Sequence, residues 1–185
     1  METSYYLSKV LEELNHSVQY ITDANAESLV QAIRSANKVF VAGAGRSGFM
    51  GKSFAMRMMH MGIDSYVVGE TVTANIAEND LLIIASGSGE TKSLVSMTEK
   101  AIGYRAKVAV VTINPESTIG KLADIVVKMP GSPKNQETSE YQTIQPMASL
   151  FEQTLLLFFD SLILRYMELE GLTSSSMFSK HANLE

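Results

Sequence analysis

Two stretches of this chain, "VFVAGAGRSG" (residues 39–48) and "LIIASGSGET" (82–91), are built alike. Each runs from consecutive apolar residues into a turn of glycine and hydroxyl residues, and then into a segment with helical spacing. A strand apolar at successive positions is buried on both faces. That is the pattern of a parallel sheet covered by helices on both sides. Similar Val/Ile/Leu-rich runs recur at 38–43, 65–69, 80–86, 106–113 and 124–130.

The intervening segments read as helices. Tyr6, Val10, Leu11, Leu14 and Val18 are spaced for an amphipathic helix over 5–20. "TDANAESLVQAIRSA" follows, with Asp23 as its expected N-cap. A helix opens at Gly45–Ser47, and another covers 89–103. "PESTIGKLA" is a turn or short helix, and a long helix runs from Pro146 to Glu170 with the proline in its first turn. After two leading helices the order is β-α-β-β-α-β-β-α. Residues 131–145 form a polar loop.

A chain of 185 residues fits one domain. We read residues 1–185 as a single unit: an N-terminal helix over 1–22, a core over 28–172 and a polar tail over 173–185. With 45% hydrophobic and 19% charged residues it can bury a substantial core. The net charge of −5 argues against a general nucleic-acid binder, which needs a basic excess to neutralise phosphates. An anionic small ligand remains open, because helix N-termini and loop amides bind anions without net positive charge. The absence of cysteine excludes disulfides and thiolate metal sites, and suits the cytoplasm. No secretory leader is expected at the N-terminus. No membrane span is expected either, since the longest apolar run, "TLLLFFDSLIL", is broken by Asp160 and Ser161.

In open α/β sheets ligands bind beyond the carboxyl ends of the strands, where both small-residue turns fall. Gly87 and Gly89 let the backbone approach a ligand closely. The amides of 87–91 would point inward at a helix start, and Ser86, Ser88 and Thr91 add hydroxyl donors. Such a loop suits a phosphoryl group. A tight strand–helix connection would also use glycine and serine, but Ser-Gly-Ser-Gly-Glu-Thr is more than one turn requires. It is not a nucleotide P-loop, because G-x-x-x-x-G-K-[ST] is absent. "GAGRSG" does fit G-x-G-x-x-G through Gly43, Gly45 and Gly48, with Glu70 at the end of the second strand as the acidic partner of a dinucleotide. Nothing else in the chain points to hydride chemistry.

"AGAGRSG", "SGSGETKS", "TINPESTIGKLAD" and "QPMASLFEQTLLLF" together resemble the sugar isomerase domain family. The chain length, "AMRMMHMG" and the terminal "HANLE" are similar to the branch that interconverts a 3-hexulose 6-phosphate and fructose 6-phosphate. The resemblance covers nearly the whole chain. It implies a three-layer α/β/α sandwich around a five-stranded parallel sheet, with a sugar phosphate as partner and no cofactor. It places the phosphate on Ser86, Gly87, Ser88, Gly89, Glu90 and Thr91, with Ser47 completing the site.

Moving a ketone from C3 to C2 passes through a cis-enediol. One positioned base can carry the proton, and no metal is formally needed. Glu152 lies in the first turns of the long helix among Leu150, Phe151, Leu155 and Leu156. From its surroundings alone it is either a functional carboxylate, whose pKa burial would raise, or an acid favoured by the helix dipole. The resemblance makes the matching glutamate of "LFEQ" the proton acceptor. Among the histidines, His16 reads as a surface or contact residue and His60 as part of a Met-rich packing stripe. The resemblance points to His181 as the assisting catalytic group, acting on ring opening or the carbonyl, from its own or a neighbouring subunit. Arg46 either steadies the substrate or pairs with a carboxylate. Lys52 and Lys92 are expected to face solvent. The carboxylate of Glu90 would repel a phosphate, so its amide is expected to serve the ligand while its side chain turns away.

The first helix and the methionine stripe carry more apolar surface than one sheet needs, which points to a homotetramer or dimer with sites near subunit boundaries. Isomerases of pentose or heptose phosphates, and a non-catalytic sugar-phosphate sensor, stay open as alternatives.

Overall fold

The computed structural model describes residues 2–132 and 141–184. It contains β1 (Val39–Gly43), β2 (Ser65–Val67), β3 (Leu81–Ala85), β4 (Lys107–Thr112) and β5 (Ile125–Lys128). The helices are α1 (Thr3–Ser17), α2 (Asp23–Ser35), α3 (Gly45–Met61), α4 (Lys92–Gly103), α5 (Thr118–Leu122), α6 (Ser149–Glu170) and α7 (Ser174–Phe178). All strand pairs are parallel, in the order β2-β1-β3-β4-β5. This is the expected three-layer α/β/α sandwich.

Successive residues of the central strands feed opposite layers. On β3, Leu81, Ile83 and Ala85 join one core with Phe54 and Met58 of α3, Leu29 of α2 and Phe151 and Phe159 of α6. Leu82 and Ile84 join the other with Leu94 of α4 and Ile119 of α5. Every residue of β3 is buried, which is why the strand reads as an unbroken apolar run. Phe54 and Phe159 stack with centroids 4.2 Å apart and fasten α3 to α6.

Gly48 of "GAGRSG" and Gly51 beyond it allow close packing. A Cβ on Gly48 would lie 2.7 Å from the Gly43 carbonyl oxygen, and one on Gly51 would lie 2.9 Å from Val41 Cγ1. They let α3 settle directly on β1. Glu70, the supposed dinucleotide acid, pairs with Lys52 at 2.5 Å.

Several boundaries differ from expectation. Thr22 holds the N-cap position of α2, Asp23 is its first helical residue, and no side chain caps the helix. The first helix ends at Ser17, followed by a 3₁₀ turn over Val18–Tyr20. α6 begins at Ser149, three residues beyond Pro146, because Met147 takes a left-handed φ of 60° and interrupts any helix started at the proline. The polar tail is partly ordered: α7 has a reciprocal capping box between Thr173 and Ser176. The loop expected over 131–145 falls partly on residues outside those described.

Candidate active site

The strand order changes direction between β1 and β3, the switch point at which the connections diverge and leave a crevice. A cavity of about 300 Å³ lies there. Arg46 and Ser47 reach it from the start of α3, Ser86, Gly87, Ser88 and Thr91 from the β3–α4 loop, and Ala148 and Glu152 from the start of α6. Three long helices therefore aim their N-termini at one space. None of the three carries a side-chain N-cap. Their uncapped amides and the positive ends of their dipoles suit an anion.

The β3–α4 loop is held from behind by the β4–α5 connection. The Gly87 carbonyl accepts from Ile113 N at 3.1 Å and from Thr112 Oγ1 at 3.1 Å. The Gly89 carbonyl accepts from Ile119 N at 3.1 Å. Gly89 itself is buried at φ 64°, pressed against Ser117, the N-cap of α5. Ser86 and Ser88 accept from the loop amides Gly89 N (3.1 Å) and Glu90 N (3.3 Å). Each hydroxyl keeps a proton to donate. Among the described residues nothing accepts from the hydroxyls of Ser47, Ser86, Ser88 or Thr91.

Glu90 turns out of the cavity, and its two carboxylate oxygens accept from Thr118 N at 2.7 Å and Thr118 Oγ1 at 2.8 Å. These bonds hold its carboxyl below the usual range, the backbone bond first. Lys52 pairs away with Glu70 and Lys92 is exposed. One guanidinium remains at the cavity. Arg46 Nε donates to Glu152 Oε2 at 2.6 Å, with the Glu152 side chain 13% exposed and that of Arg46 61% exposed. The carboxylate thus faces the loop hydroxyls from the opposite element, against buried Leu150 and Phe151.

The SIS domain family matches this sequence over residues 32–158, more than half of the chain. The chain belongs to the SIS domain family. Within it, the chain is 56% identical over 185 residues to the 3-hexulose-6-phosphate isomerase of Bacillus subtilis (strain 168), covering all of both proteins. It is 36% identical over 179 residues to the 3-hexulose-6-phosphate isomerase of Mycobacterium gastri, covering 97% of this chain and 89% of that one. The crystal structure of a hypothetical protein from Methanococcus jannaschii, whose inferred molecular function is 3-hexulose-6-phosphate isomerase, superposes with a TM-score of 0.84. The two share 32% identity over 98% of this chain and 99% of that one.

In this SIS domain, Arg46, Ser47, Ser86, Gly87, Ser88, Thr91 and Glu152 come together at the cavity. Gly89 and Glu90 lie behind it as supports for the loop. His181 is not brought in. It stacks on His60 with centroids 5.2 Å apart, at the far end of α3 from Arg46. Fourteen residues of helix put about 21 Å between them. Within one chain it therefore lies away from Glu152. The lining by Leu94, Ile113 and Ala148 was not anticipated. Ile113 lies inside "TINPESTIGKLAD" and Ala148 inside "QPMASLFEQTLLLF", two of the segments that carry the family resemblance.

Proposed function

We propose that this chain is a 3-hexulose-6-phosphate isomerase, interconverting D-arabino-hex-3-ulose 6-phosphate and D-fructose 6-phosphate without a cofactor. The observation that carries this reading is the full-length 56% identity to the Bacillus subtilis enzyme, joined to a cavity that sets Glu152 across from an amide- and hydroxyl-lined loop. The loop hydroxyls and the N-terminus of α4 hold the phosphate, with Ser47 completing the site. Glu152 removes the proton from C2 of the 3-ketose. The electron pair forms the C2=C3 bond and O3 takes up a proton. The enediol then loses the proton from O2, and Glu152 returns its proton to C3, leaving the ketone at C2. Electrons and protons balance within the sugar, so the reaction needs neither oxidant nor metal. Arg46 shares its guanidinium between Glu152 and a substrate oxygen.

The protein acts as a homo-oligomer in this reading, a tetramer or a dimer, with no nucleic-acid partner and in the cytoplasm. Phe49, Met56 and Met59 of α3 are exposed at spacings of seven and three residues, on one face of the helix. A second copy packed antiparallel on that face would carry its α3 C-terminus, with His181, to this chain's Arg46. That is the arrangement in which His181 acts on the substrate.

The test is incubation of the purified protein with fructose 6-phosphate in deuterium oxide, followed by NMR. Deuterium entering C3 supports the reading. Deuterium entering C1 alone overturns it in favour of an aldose–ketose isomerase.

A further inference from the structure

Glu13 of α1 stands outside the cavity and has no assigned part. Its carboxylate nevertheless gathers three donors from the segment that leads into α6. Thr143 Oγ1 donates to Oε2 at 2.6 Å, Gln145 Nε2 to Oε2 at 2.9 Å, and Ile144 N to Oε1 at 2.8 Å. Thr143 Oγ1 also accepts from Gln145 N at 3.0 Å, and the Gln145 side chain is buried. Among the described residues no lysine or arginine pairs with Glu13; neutral donors alone hold it. Burial pushes its carboxyl up, but the bonds from Thr143, Ile144 and Gln145 together outweigh that and hold it below the usual range.

This clasp lies just ahead of the residues that build the site. Gln145 is followed by Pro146, by Met147 at φ 60°, by Ala148 and by the first turn of α6 with Glu152. Beyond them Leu150 and Phe151 are anchored in the core. The linker between clasp and core contains the backbone kink that decides where α6 begins, so its path is set from both ends. Ala148 and Glu152 line the cavity, and Glu152 N bonds to the Ala148 carbonyl at 3.0 Å.

We propose that Glu13 is a positioning residue for the reaction: its carboxylate clasps Thr143–Gln145 and thereby sets the start of α6, and with it Glu152, against the bound sugar phosphate. This rests on the isomerase reading above. A carboxylate is required because it only accepts; an amide at this position would present its NH₂ to at least one of the three donors. The phosphate loop belongs to β3, α4 and α5 and is untouched by the clasp. The effect therefore falls on turnover and leaves binding alone.

Glu13→Gln, nearly isosteric, is compared with wild type, Thr143→Val and Thr143→Ser in the full-length protein. Three quantities are read: kcat and KM for fructose 6-phosphate formation, and amide hydrogen exchange along the chain. A misplaced catalytic group costs up to about a hundredfold. The expected result is a fall in kcat of about tenfold for Glu13→Gln, a smaller fall for Thr143→Val, and wild-type behaviour for Thr143→Ser, all with KM within about twofold. Exchange should accelerate at 147–152 and stay unchanged at 86–91. Folded Glu13→Gln with wild-type kcat overturns the proposal. So does exchange that accelerates throughout the chain, which would make Glu13 a general stabilising residue. Wild-type protein that forms no fructose 6-phosphate from the hexulose phosphate refutes the isomerase reading instead, and the exchange measurement still tests the clasp.

Discussion

Gly89→Ala tests the loop on which the site depends. Gly89 has φ 64°, a left-handed conformation that costs an alanine about 1–2 kcal/mol. A Cβ there would overlap Ser117 Oγ and lie 2.6 Å from Ser117 Cβ and 3.4 Å from Thr112 Oγ1. Ser117 cannot simply swing aside, because its hydroxyl caps α5 by accepting from Gly120 N at 3.2 Å. Losing that cap costs about 1 kcal/mol more. The unfolded alanine chain is less flexible, which offsets about 0.4–1 kcal/mol. The net destabilisation is about 2 kcal/mol. For a chain of this size that lowers the Tm by about 4–8 °C. Because the Gly89 carbonyl accepts from Ile119 N and its amide donates to Ser86, the whole loop shifts with it. Fructose 6-phosphate affinity should fall by about tenfold, the equivalent of one charge-assisted hydrogen bond. Thermal unfolding and calorimetric titration measure both. Adding Ser117→Gly removes the overlap but not the φ cost, so the double variant should recover about half of the lost stability. If Gly89→Ala keeps the wild-type Tm and affinity, the loop is not locked against Ser117 and the description of the site is wrong.

Glu152→Gln should lower kcat by about 10²–10⁴-fold while fructose 6-phosphate still binds; unchanged turnover in a rapid-mix assay would remove Glu152 as the base. Gly48→Ala should destabilise by about 1–2 kcal/mol in denaturant titration, because its Cβ meets the backbone of Gly43 at 2.7 Å. Helix propensity alone predicts the opposite sign, a gain of about 1 kcal/mol. His60 is buried, and its pKa is pushed below the ordinary value first by burial, then by the charges of His181 and Arg57. The fold therefore favours neutral His60. Its contribution is whole above the ordinary histidine range of about 6.5 and is lost as pH falls through the lowered value. Protection from hydrogen exchange over 174–181, corrected for the intrinsic rate, should fall as pH drops below about 6.5, and His60→Phe should flatten that dependence.

What could be read ahead of the structure was local. Five apolar runs became five parallel strands; burial on both faces keeps the central β1 and β3 free of polar residues, while the edge strands β2 and β5 are only partly buried. The two glycine–hydroxyl turns were visible because strand ends and helix starts impose residue types within a few positions. Even the outward turn of Glu90 followed from like-charge repulsion, although nothing nearby in sequence named Thr118 as its partner. The misses are long-range. Pro146 is a good helix opener in isolation, but the Glu13 clasp, 130 residues away from Thr143, and the kink at Met147 delay the helix to Ser149. The tail reads in sequence only as a polar stretch, yet α7 packs on α3, bringing Lys180 against Gly62 and His181 onto His60. Gly62 is the left-handed C-cap of α3, and a side chain there would collide with Lys180. No spacing rule connects residues so far apart.

The division of labour in the site explains why an acidic chain can take an anionic substrate. A lysine cluster would attract a phosphate from farther away, but long flexible side chains hold it loosely and would also surround Glu152 with positive charge. Here the donors are amides and short hydroxyls on the ends of packed elements, so their positions are set by the two cores. Neutral donors and helix ends satisfy a dianion over short range without altering the net charge of −5. The one guanidinium at the cavity is already committed to the carboxylate. In the proposed reaction phosphate holding belongs to the β3–α4 loop, backed by α5 and completed by Ser47, while proton transfer belongs to α6 with Arg46 of α3. These two sets meet only at the switch point between β1 and β3. Changes in the first set should appear in binding and changes in the second in turnover, a separation that a site built on one loop would not show.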